Sequence, residues 1–299
     1  MTSHNKQARV LLWGVPRSVS TSFANCMTYV QDSVVWFEPY FAADWFGRDG
    51  NTTQFLMNYN KTKKNVAYPL DANIQTGDNI YEAAQHDFTW VKKKLEEEQP
   101  GKKVIFVKDM IQGIAGHYDA LPDGYRHAFV IRHPLKVFAS LRNLNDKVHQ
   151  LSGHAGRLAD LTPHLVPPGY FYKEMYDLVE YLKNTIEPYP IIIDADDLLS
   201  NPYQMMHSYC DSLDIPFDES LLTWPAGNDA MLRRWICPKE LIVNGYSMSH
   251  EATFKTTGFG KPAPIPDRSE LPDDVLEVAD ASMLYYDKLF EQRLQPVSG

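Results

Sequence analysis

Hydroxyl side chains and one arginine are concentrated in a short segment near the amino terminus. Residues 14–22 read Gly-Val-Pro-Arg-Ser-Val-Ser-Thr-Ser and follow the apolar run Val10–Trp13. Hydroxyl groups donate hydrogen bonds to oxyanions, and the planar guanidinium of Arg17 can form two parallel bonds to a phosphate or sulfate. Gly14 allows the chain to leave the strand sharply, and Pro16 stiffens the approach. The segment predicts an anion-binding turn, although an ordinary capped turn between a strand and a helix has a similar composition.

The lysine-bearing phosphate loop of ATP and GTP enzymes has the pattern G-x-x-x-x-G-K-[ST]. Residues 14–22 lack the second glycine and the lysine of that pattern. Asp194, which follows the apolar residues 190–193, is the only candidate for an acidic Mg²⁺ ligand at the end of a strand. The sequence therefore weakens an ATP-dependent kinase interpretation but keeps it as an alternative.

A second basic residue follows another apolar run, in the segment HAFVIRHPLKVFASLRNL at residues 127–144. Arg132 lies at the end of the predicted strand, Pro134 at the start of the next helix, and Ser140 about two turns into that helix. Taken singly, Arg132 could pair with a carboxylate and Ser140 could be a small packing residue. Because ligands of open α/β sheets bind at the carboxyl ends of strands, both residues can share a crevice with Arg17.

The elements that position these residues are predicted from hydrophobic patterning. Continuous apolar runs indicate strands buried on both faces, at residues 10–13, 34–37, 104–107, 127–131 and 190–193. Helical patterns lie between or after them, at residues 20–29, 81–98, 136–144, 172–186, 203–213 and 273–294. This alternation predicts an α/β fold with a single doubly wound, mostly parallel sheet flanked by helices. We expect one domain over residues 1–299, with irregular insertions at about 41–79 and 148–169.

Composition limits the classes of partner. The formal net charge of −9 lacks the basic footprint of a protein that binds nucleic acid polymers. Three cysteines without a C-x-x-C pattern favour reduced thiols over a disulfide framework. There is no apolar run near the roughly 18 residues of a membrane span and no signal peptide pattern, so a cytoplasmic protein without membrane attachment is expected.

The two anion motifs together resemble those of the sulfotransferases that use 3′-phosphoadenosine 5′-phosphosulfate (PAPS), a family with a P-loop-like fold. In that family a hydroxyl-rich turn holds the 5′-phosphosulfate, and a later strand-Arg-x-Pro-x₅-Ser segment holds the 3′-phosphate. The segment IIIDADDLLSNP at residues 191–202 is similar to a further family motif, and FKTTGFGK at 254–261 is similar to the loop that closes over the nucleotide. Val19 stands where many members have glycine. The resemblance implies that the nucleotide is bound by Arg17, Ser18, Val19, Ser20, Thr21, Ser22, Arg132, Ser140, Lys255, Gly258 and Lys261.

The resemblance also implies catalytic residues. Arg17 would stabilise the leaving phosphate, and Lys108 matches the strand-end lysine of cytosolic family members. Where those members have a histidine base, this sequence has Met110. Glu38, in a Phe-Glu-Pro segment like that of carbohydrate sulfotransferases, is therefore the first choice for the base. Asp109 is the second choice and His117 the third.

The acceptor is expected to be a small molecule bound by Trp36, Tyr40, Trp45, Asp109 and His117, although the aromatic residues could equally be core. The histidines lack the spacing of a metal site, and no metal is expected. The sequence predicts transfer of a sulfuryl group from PAPS to a hydroxyl or amine, with release of 3′-phosphoadenosine 5′-phosphate (PAP). The alternatives are an ATP-dependent small-molecule kinase and a non-catalytic protein that binds adenosine phosphates.

Overall fold

The computed structural model describes residues 7–48, 78–152, 167–243 and 253–295. Seven strands in these ranges form one sheet, in the order β3-β7-β2-β4-β1-β5-β6, and every pairing between them is parallel. This confirms the α/β fold class expected from the sequence. The strands are β1 (Ala8–Gly14), β2 (Ser33–Phe37), β3 (Ile80–Tyr81), β4 (Val104–Met110), β5 (Arg126–Ile131), β6 (Ile191–Asp194) and β7 (Trp235–Pro238).

Helices connect the strands and cover both faces of the sheet. Several begin at sequence signals: Asp87 accepts a hydrogen bond from the backbone N–H of Trp90, and Asn201 accepts one from that of Gln204 just before a proline. The helices are α1 (Ser20–Thr28), α2 (Pro39–Phe46), α3 (Phe88–Glu96), α4 (Pro134–Ser152), α5 (Tyr172–Thr185), α6 (Ala195–Ser200), α7 (Pro202–Ser212), α8 (Asp229–Arg233), α9 (Lys239–Val243) and α10 (Asp273–Glu291).

The inner strand β1 contributes to two separate cores because its side chains alternate between the faces of the sheet. Val10 and Leu12 pack in the cluster that contains α1 and α7, whereas Leu11 and Trp13 pack in the cluster that contains α4, α5 and α10. These four side chains are fully buried. Burial on both faces is the physical reason for the continuous apolar runs.

The structure departs from the sequence predictions at one side of the sheet and at three segment boundaries. The strand β3 is only 2 residues long, and β7 reads Trp-Ile-Cys-Pro between charged residues, so neither produces a recognisable apolar run. The helix expected over 81–98 is limited to α3, because Tyr81 pairs in β3 and Asp87 caps a helix that starts after it. Residues 41–46 belong to α2 and residues 148–152 to α4, so these parts of the expected insertions are helical. Residues 49–77 and 153–166 lie outside the described ranges.

The three cysteines are free thiols inside the protein. Cys26, Cys210 and Cys237 are buried, and burial raises the pKa of each thiol. In the part of the chain that the structure describes, no helix has both the length and the apolar character needed to cross a membrane.

Candidate active site

The carboxyl ends of four neighbouring strands lie together because the strands are parallel. Gly14 at the end of β1 pairs with Met110 of β4 on one side and with Val130 of β5 on the other. Phe37 at the end of β2 pairs with Lys108 of β4. The turns that follow β1 and β5 are therefore neighbours, and so are Glu38 and the end of β4.

The turn between β1 and α1 has an unusual backbone. Arg17 and Val19 have φ angles of 64° and 62°, in the left-handed region that L-residues rarely occupy. The hydroxyl of Ser18 donates to the carbonyl of Val15 over 2.7 Å and holds the turn closed. Val19 precedes α1 and provides no side-chain cap for it. A helix N-terminus without such a cap directs backbone N–H groups and a positive dipole toward an external anion.

Glycine is required at position 14 because the side chains of Ser18 and Ser20 lie close to its backbone. The reason expected from the sequence was a sharp turn, but Gly14 does not have a left-handed conformation. A Cβ atom at Gly14 would lie 3.0 Å from both Cβ and Oγ of Ser20 and 3.3 Å from Oγ of Ser18. The absence of a side chain lets the hydroxyl-bearing turn lie directly over the end of β1. The hydroxyl residues Ser18, Ser20, Thr21 and Ser22 are all buried there.

The two predicted anion motifs are in direct contact. Nε of Arg17 donates to Oγ of Ser140 on α4 over 3.0 Å, and Nη1 of Arg132 donates to the carbonyl of Arg17 over 2.9 Å. Within the described residues Arg132 has no carboxylate partner, and its Nε is buried without an acceptor. The simpler readings, a surface arginine paired with a carboxylate and a serine used only for packing, do not fit these contacts.

A buried ion pair lies beside these motifs. Nζ of Lys108 contacts Oε1 of Glu38, and the two residues are 1% and 0% exposed. The backbone N–H of Glu38 donates to the carbonyl of Lys108 over 2.7 Å, and Lys108 Nζ also lies 4.9 Å from the ring centre of Phe37. Oε2 of Glu38 is buried and has no hydrogen-bond partner among the residues that the structure describes. Glu38 has a φ of 55°, so a strained backbone and a buried charge pair coincide at one residue.

Asp109 supports this pair from the neighbouring position of β4. Its carboxylate accepts hydrogen bonds from the backbone N–H groups of Tyr40, Phe41 and Met110 over 2.7, 3.0 and 2.8 Å. It thus caps α2, the helix that begins directly after Glu38. Burial, with a further contribution from the charge of Glu38, raises the pKa of Asp109 to about 8, although the backbone bonds oppose this shift. Through these contacts Asp109 anchors the start of α2. Its role as a base or as a ligand of the acceptor stays a prediction.

The remaining residues expected to bind the acceptor are not gathered in one pocket wall. Trp36 and Tyr40 are buried in the same core cluster as Trp13, and the hydroxyl of Tyr40 donates to the carbonyl of Ala120 over 2.6 Å. Trp45 is half-buried and packs against the opposite cluster. His117 stacks on Phe88 with ring centres 4.5 Å apart, and no contact among the described residues joins it to Glu38 or Lys108.

The segment expected to close over the nucleotide packs near α1. Phe259 lies edge-on to Phe23 of α1 at 6.4 Å, and Gly258 forms an isolated bridge with Thr223. A Cβ atom at Gly258 would lie 2.8 Å from the carbonyl oxygen of Leu222, so this close pairing requires glycine. Lys255 and Lys261 are exposed on either side. A cavity of about 460 Å³ is lined by Pro202, Leu222, Thr223 and residues 256–260, and Gly258 is the only one of these that was expected to bind the nucleotide.

Within the described ranges, no group of three or more His, Cys, Asp or Glu side chains could hold a metal ion. Arg17, Lys108 and Arg132 lie at the carboxyl edge of the sheet, next to the start of α1. An α/β protein with this arrangement is suited to binding a polyanionic ligand. Residues 187–291 match the protein-family model described as a sulfotransferase domain. Over these residues the chain is similar to a sulfotransferase domain, which confirms the family resemblance seen in the sequence and the expected class of enzyme. The match begins before β6 and includes α10, so the residues of β1, β2, β4 and β5 lie outside it.

Two curated relatives from Arabidopsis thaliana are similar over most of the chain. Branched-chain-amino-acid aminotransferase-like protein 2 is 27% identical over 258 residues, covering 85% of this chain and 36% of that protein. Branched-chain-amino-acid aminotransferase-like protein 1 is 26% identical over 266 residues, covering 85% of this chain and 37% of that protein. The chain spans a little over a third of the length of these relatives, whose names describe the longer proteins.

Solved structures of sulfotransferases are also similar. The sulfotransferase domain from the curacin biosynthetic pathway is 16% identical with a TM-score of 0.45, over 92% of this chain and 96% of that one. The sulfotransferase domain of the Synechococcus PCC 7002 olefin synthase is 14% identical with a TM-score of 0.44, over 93% and 96%. A mouse sulfotransferase complexed with PAP is 11% identical with a TM-score of 0.39, over 95% and 84%. These TM-scores are below 0.5, and we draw no conclusion about function from them.

Proposed function

We propose that this chain transfers a sulfuryl group from PAPS to a hydroxyl or amine of a small-molecule acceptor and releases PAP. The observation that carries the proposal is the direct contact of Arg17 with both Ser140 and Arg132, at adjacent strand ends. Ser140 and Arg132 are 123 and 115 positions from Arg17 in the chain, and their meeting at one place supports a ligand site shared by the two motifs. The sulfotransferase domain match supports the choice of PAPS.

The residues present fit a nucleotide with several negative groups. Nε of Arg132 is buried and has no acceptor within the described ranges, so this group can donate to a 3′-phosphate without breaking a bond seen there. The hydroxyls of Ser20, Thr21 and Ser22 and the first N–H groups of α1 are proposed to bind the 5′-phosphosulfate, whereas the hydroxyl of Ser18 already donates to the carbonyl of Val15. Lys255, Gly258 and Lys261 are proposed to contact the nucleotide from the segment beside α1.

PAPS supplies a sulfuryl group bonded to a good phosphate leaving group, so the chemistry is an in-line displacement with charge spread over peripheral oxygens. Arg17 is proposed to neutralise the charge on the departing phosphate. Lys108 would stabilise the sulfuryl oxygens from the other side. Oε2 of Glu38, which has no partner in the described parts of the chain, would accept the acceptor's proton as the new bond to sulfur forms and the bond to the bridging oxygen breaks.

The contacts of Asp194 count against the kinase alternative. Oδ1 of Asp194 accepts from the backbone N–H groups of Asp196 and Asp197 over 2.8 and 3.3 Å, and Oδ2 accepts from the hydroxyl of Tyr286 over 3.1 Å. The carboxylate that the sequence offered as an Mg²⁺ ligand is therefore used to cap α6 and to hold α10.

The decisive experiment is a calorimetric titration with PAP and, separately, with Mg-ATP. We expect PAP to bind, and Arg132→Ala to weaken it roughly 10- to 100-fold, the usual value of hydrogen bonds to a charged group. Arg268→Ala is the control, because Arg268 pairs with Asp280 on an exposed surface and should leave PAP affinity unchanged. Binding of Mg-ATP without any response to PAP would overturn the proposal.

Turnover separates an enzyme from a non-catalytic binding protein. Labelled PAPS is incubated with panels of small hydroxyl and amine compounds, and transfer of the label is measured. We expect label in at least one acceptor class with equimolar PAP. PAP binding without transfer to any panel would favour the non-catalytic alternative.

A further inference from the structure

Tyr172, the first residue of α5, is fully buried although it carries a hydroxyl group. That hydroxyl donates a hydrogen bond to the backbone carbonyl of Arg132. The ring lies 6.1 Å from Phe138 and is edge-on to Tyr286 at 6.2 Å, so aromatic packing fixes its position. Burial raises the pKa of Tyr172 well above its usual value, and the hydroxyl remains a donor across the working pH range.

The carbonyl that Tyr172 binds lies in a short connection without regular structure. β5 ends at Ile131 and α4 begins at Pro134. The hydrogen-bond ladder of α4 starts at the carbonyl of His133, which accepts from Lys136 and Val137 over 2.9 and 3.2 Å. The hydrogen bonds of α4 thus begin one residue after Arg132 and do not include its carbonyl. The hydroxyl of Tyr172 on α5 donates to this carbonyl instead.

Arg132 is thus held at two points. Tyr172 holds its backbone carbonyl, and the carbonyl of Arg17 accepts from its Nη1. Its Nε is buried and has no acceptor among the described residues, so it can donate to a further oxyanion. We propose that Tyr172 is a positioning residue that orients Arg132 for the 3′-phosphate of the nucleotide. This inference rests on the proposed function and names a residue that no sequence motif indicated.

The test compares two nucleotides that differ only in the 3′-phosphate, PAP and 5′-AMP, by calorimetric titration. Tyr172→Phe should weaken PAP binding roughly fivefold, the effect of one hydrogen bond, and leave 5′-AMP binding unchanged. Tyr125→Phe is the matched control. Tyr125 is a buried tyrosine of the same core cluster whose hydroxyl donates to the carbonyl of Leu95 over 2.8 Å, and it precedes β5 at the opposite edge of the sheet. Tyr125→Phe should keep both affinities.

A double variant shows whether Tyr172 acts through Arg132. Because positioning has no effect once the positioned group is absent, Tyr172→Phe should not weaken PAP binding further in an Arg132→Ala background. If wild-type protein prefers PAP but Tyr172→Phe leaves this preference intact, or weakens both nucleotides equally, the positioning role is refuted and the proposed function stands. If wild-type protein shows no preference for PAP over 5′-AMP, both are refuted.

Discussion

Val19 provides the most direct test of the backbone geometry of the anion-binding turn. It is a β-branched residue at a φ of 62°, where a branched side chain is least tolerated. Its side chain is half-buried against the core cluster around α1, so a change to glycine alone would mix lost packing with relieved strain. The informative comparison is between Val19→Ala and Val19→Gly, because both lose the branched side chain and they differ by a single methyl group.

The expected difference follows from two opposing effects. The left-handed conformation costs an L-residue about 1 to 2 kcal/mol, which alanine pays and glycine does not. Glycine loses roughly 0.5 to 1 kcal/mol more conformational entropy on folding. Taking the middle of each range, we expect Val19→Gly to be more stable than Val19→Ala by about 0.7 kcal/mol.

Urea denaturation measures this difference, with the same pair of substitutions at Glu277 as the control. Glu277 is exposed in the interior of α10, where alanine should be more stable than glycine by about 1 kcal/mol. At an m value of about 3 kcal/mol/M, a difference of 0.7 kcal/mol separates the two Val19 midpoints by about 0.2 M. If Val19→Ala proves as stable as Val19→Gly or more so, residue 19 does not have the left-handed conformation and the account of the turn is wrong.

Two further predictions concern the buried carboxyl groups. Glu38→Gln should abolish turnover while PAP affinity stays nearly constant. The same substitution should lower the free energy of unfolding by about 3 to 5 kcal/mol, because the charge of Lys108 is left unpaired. The double variant Glu38→Gln, Lys108→Met should recover most of that stability, measured by urea denaturation, but should show no turnover, measured by label transfer. Turnover in the single variant Glu38→Gln would exclude Glu38 as the base. Burial raises the pKa of Asp44 to about 7, so the wild-type protein loses stability as pH rises from about 4 through 7. Asp44→Asn should therefore raise the urea midpoint at pH 7.5 relative to wild type and leave it nearly unchanged at pH 4. Equal effects at both pH values would contradict the raised pKa of the Asp44 carboxyl group.

Some features of the site could be predicted because they depend on local sequence. A strand buried on both faces must be a continuous apolar run, and so the runs at β1, β2, β4, β5 and β6 were all recognisable. Their carboxyl ends lie at one edge of the sheet once the strands are parallel. Arg17, Glu38, Lys108 and Arg132 each follow or end such a run, and their placement at this edge follows from the chain order alone.

The partners of these residues depend on the tertiary structure. Arg17 contacts Ser140 because β1 and β5 are adjacent in the sheet. Glu38 contacts Lys108 because β2 and β4 are adjacent. Strand order is determined by how whole helices pack on the sheet, which no short segment encodes. For the same reason Asp109 could be read from the sequence as a possible base, whereas in the folded chain it caps α2.

The sequence by itself determined the fold class and placed the candidate site residues at the ends of strands, because strands buried on both faces have local compositional requirements. The tertiary structure alone decided which groups meet: the hydroxyl of Tyr172 with the carbonyl of Arg132, Phe259 with α1, and Trp36 and Tyr40 with the core rather than with Trp45. Such contacts join residues far apart in the chain, and their formation depends on strand order and register that only the packed core establishes.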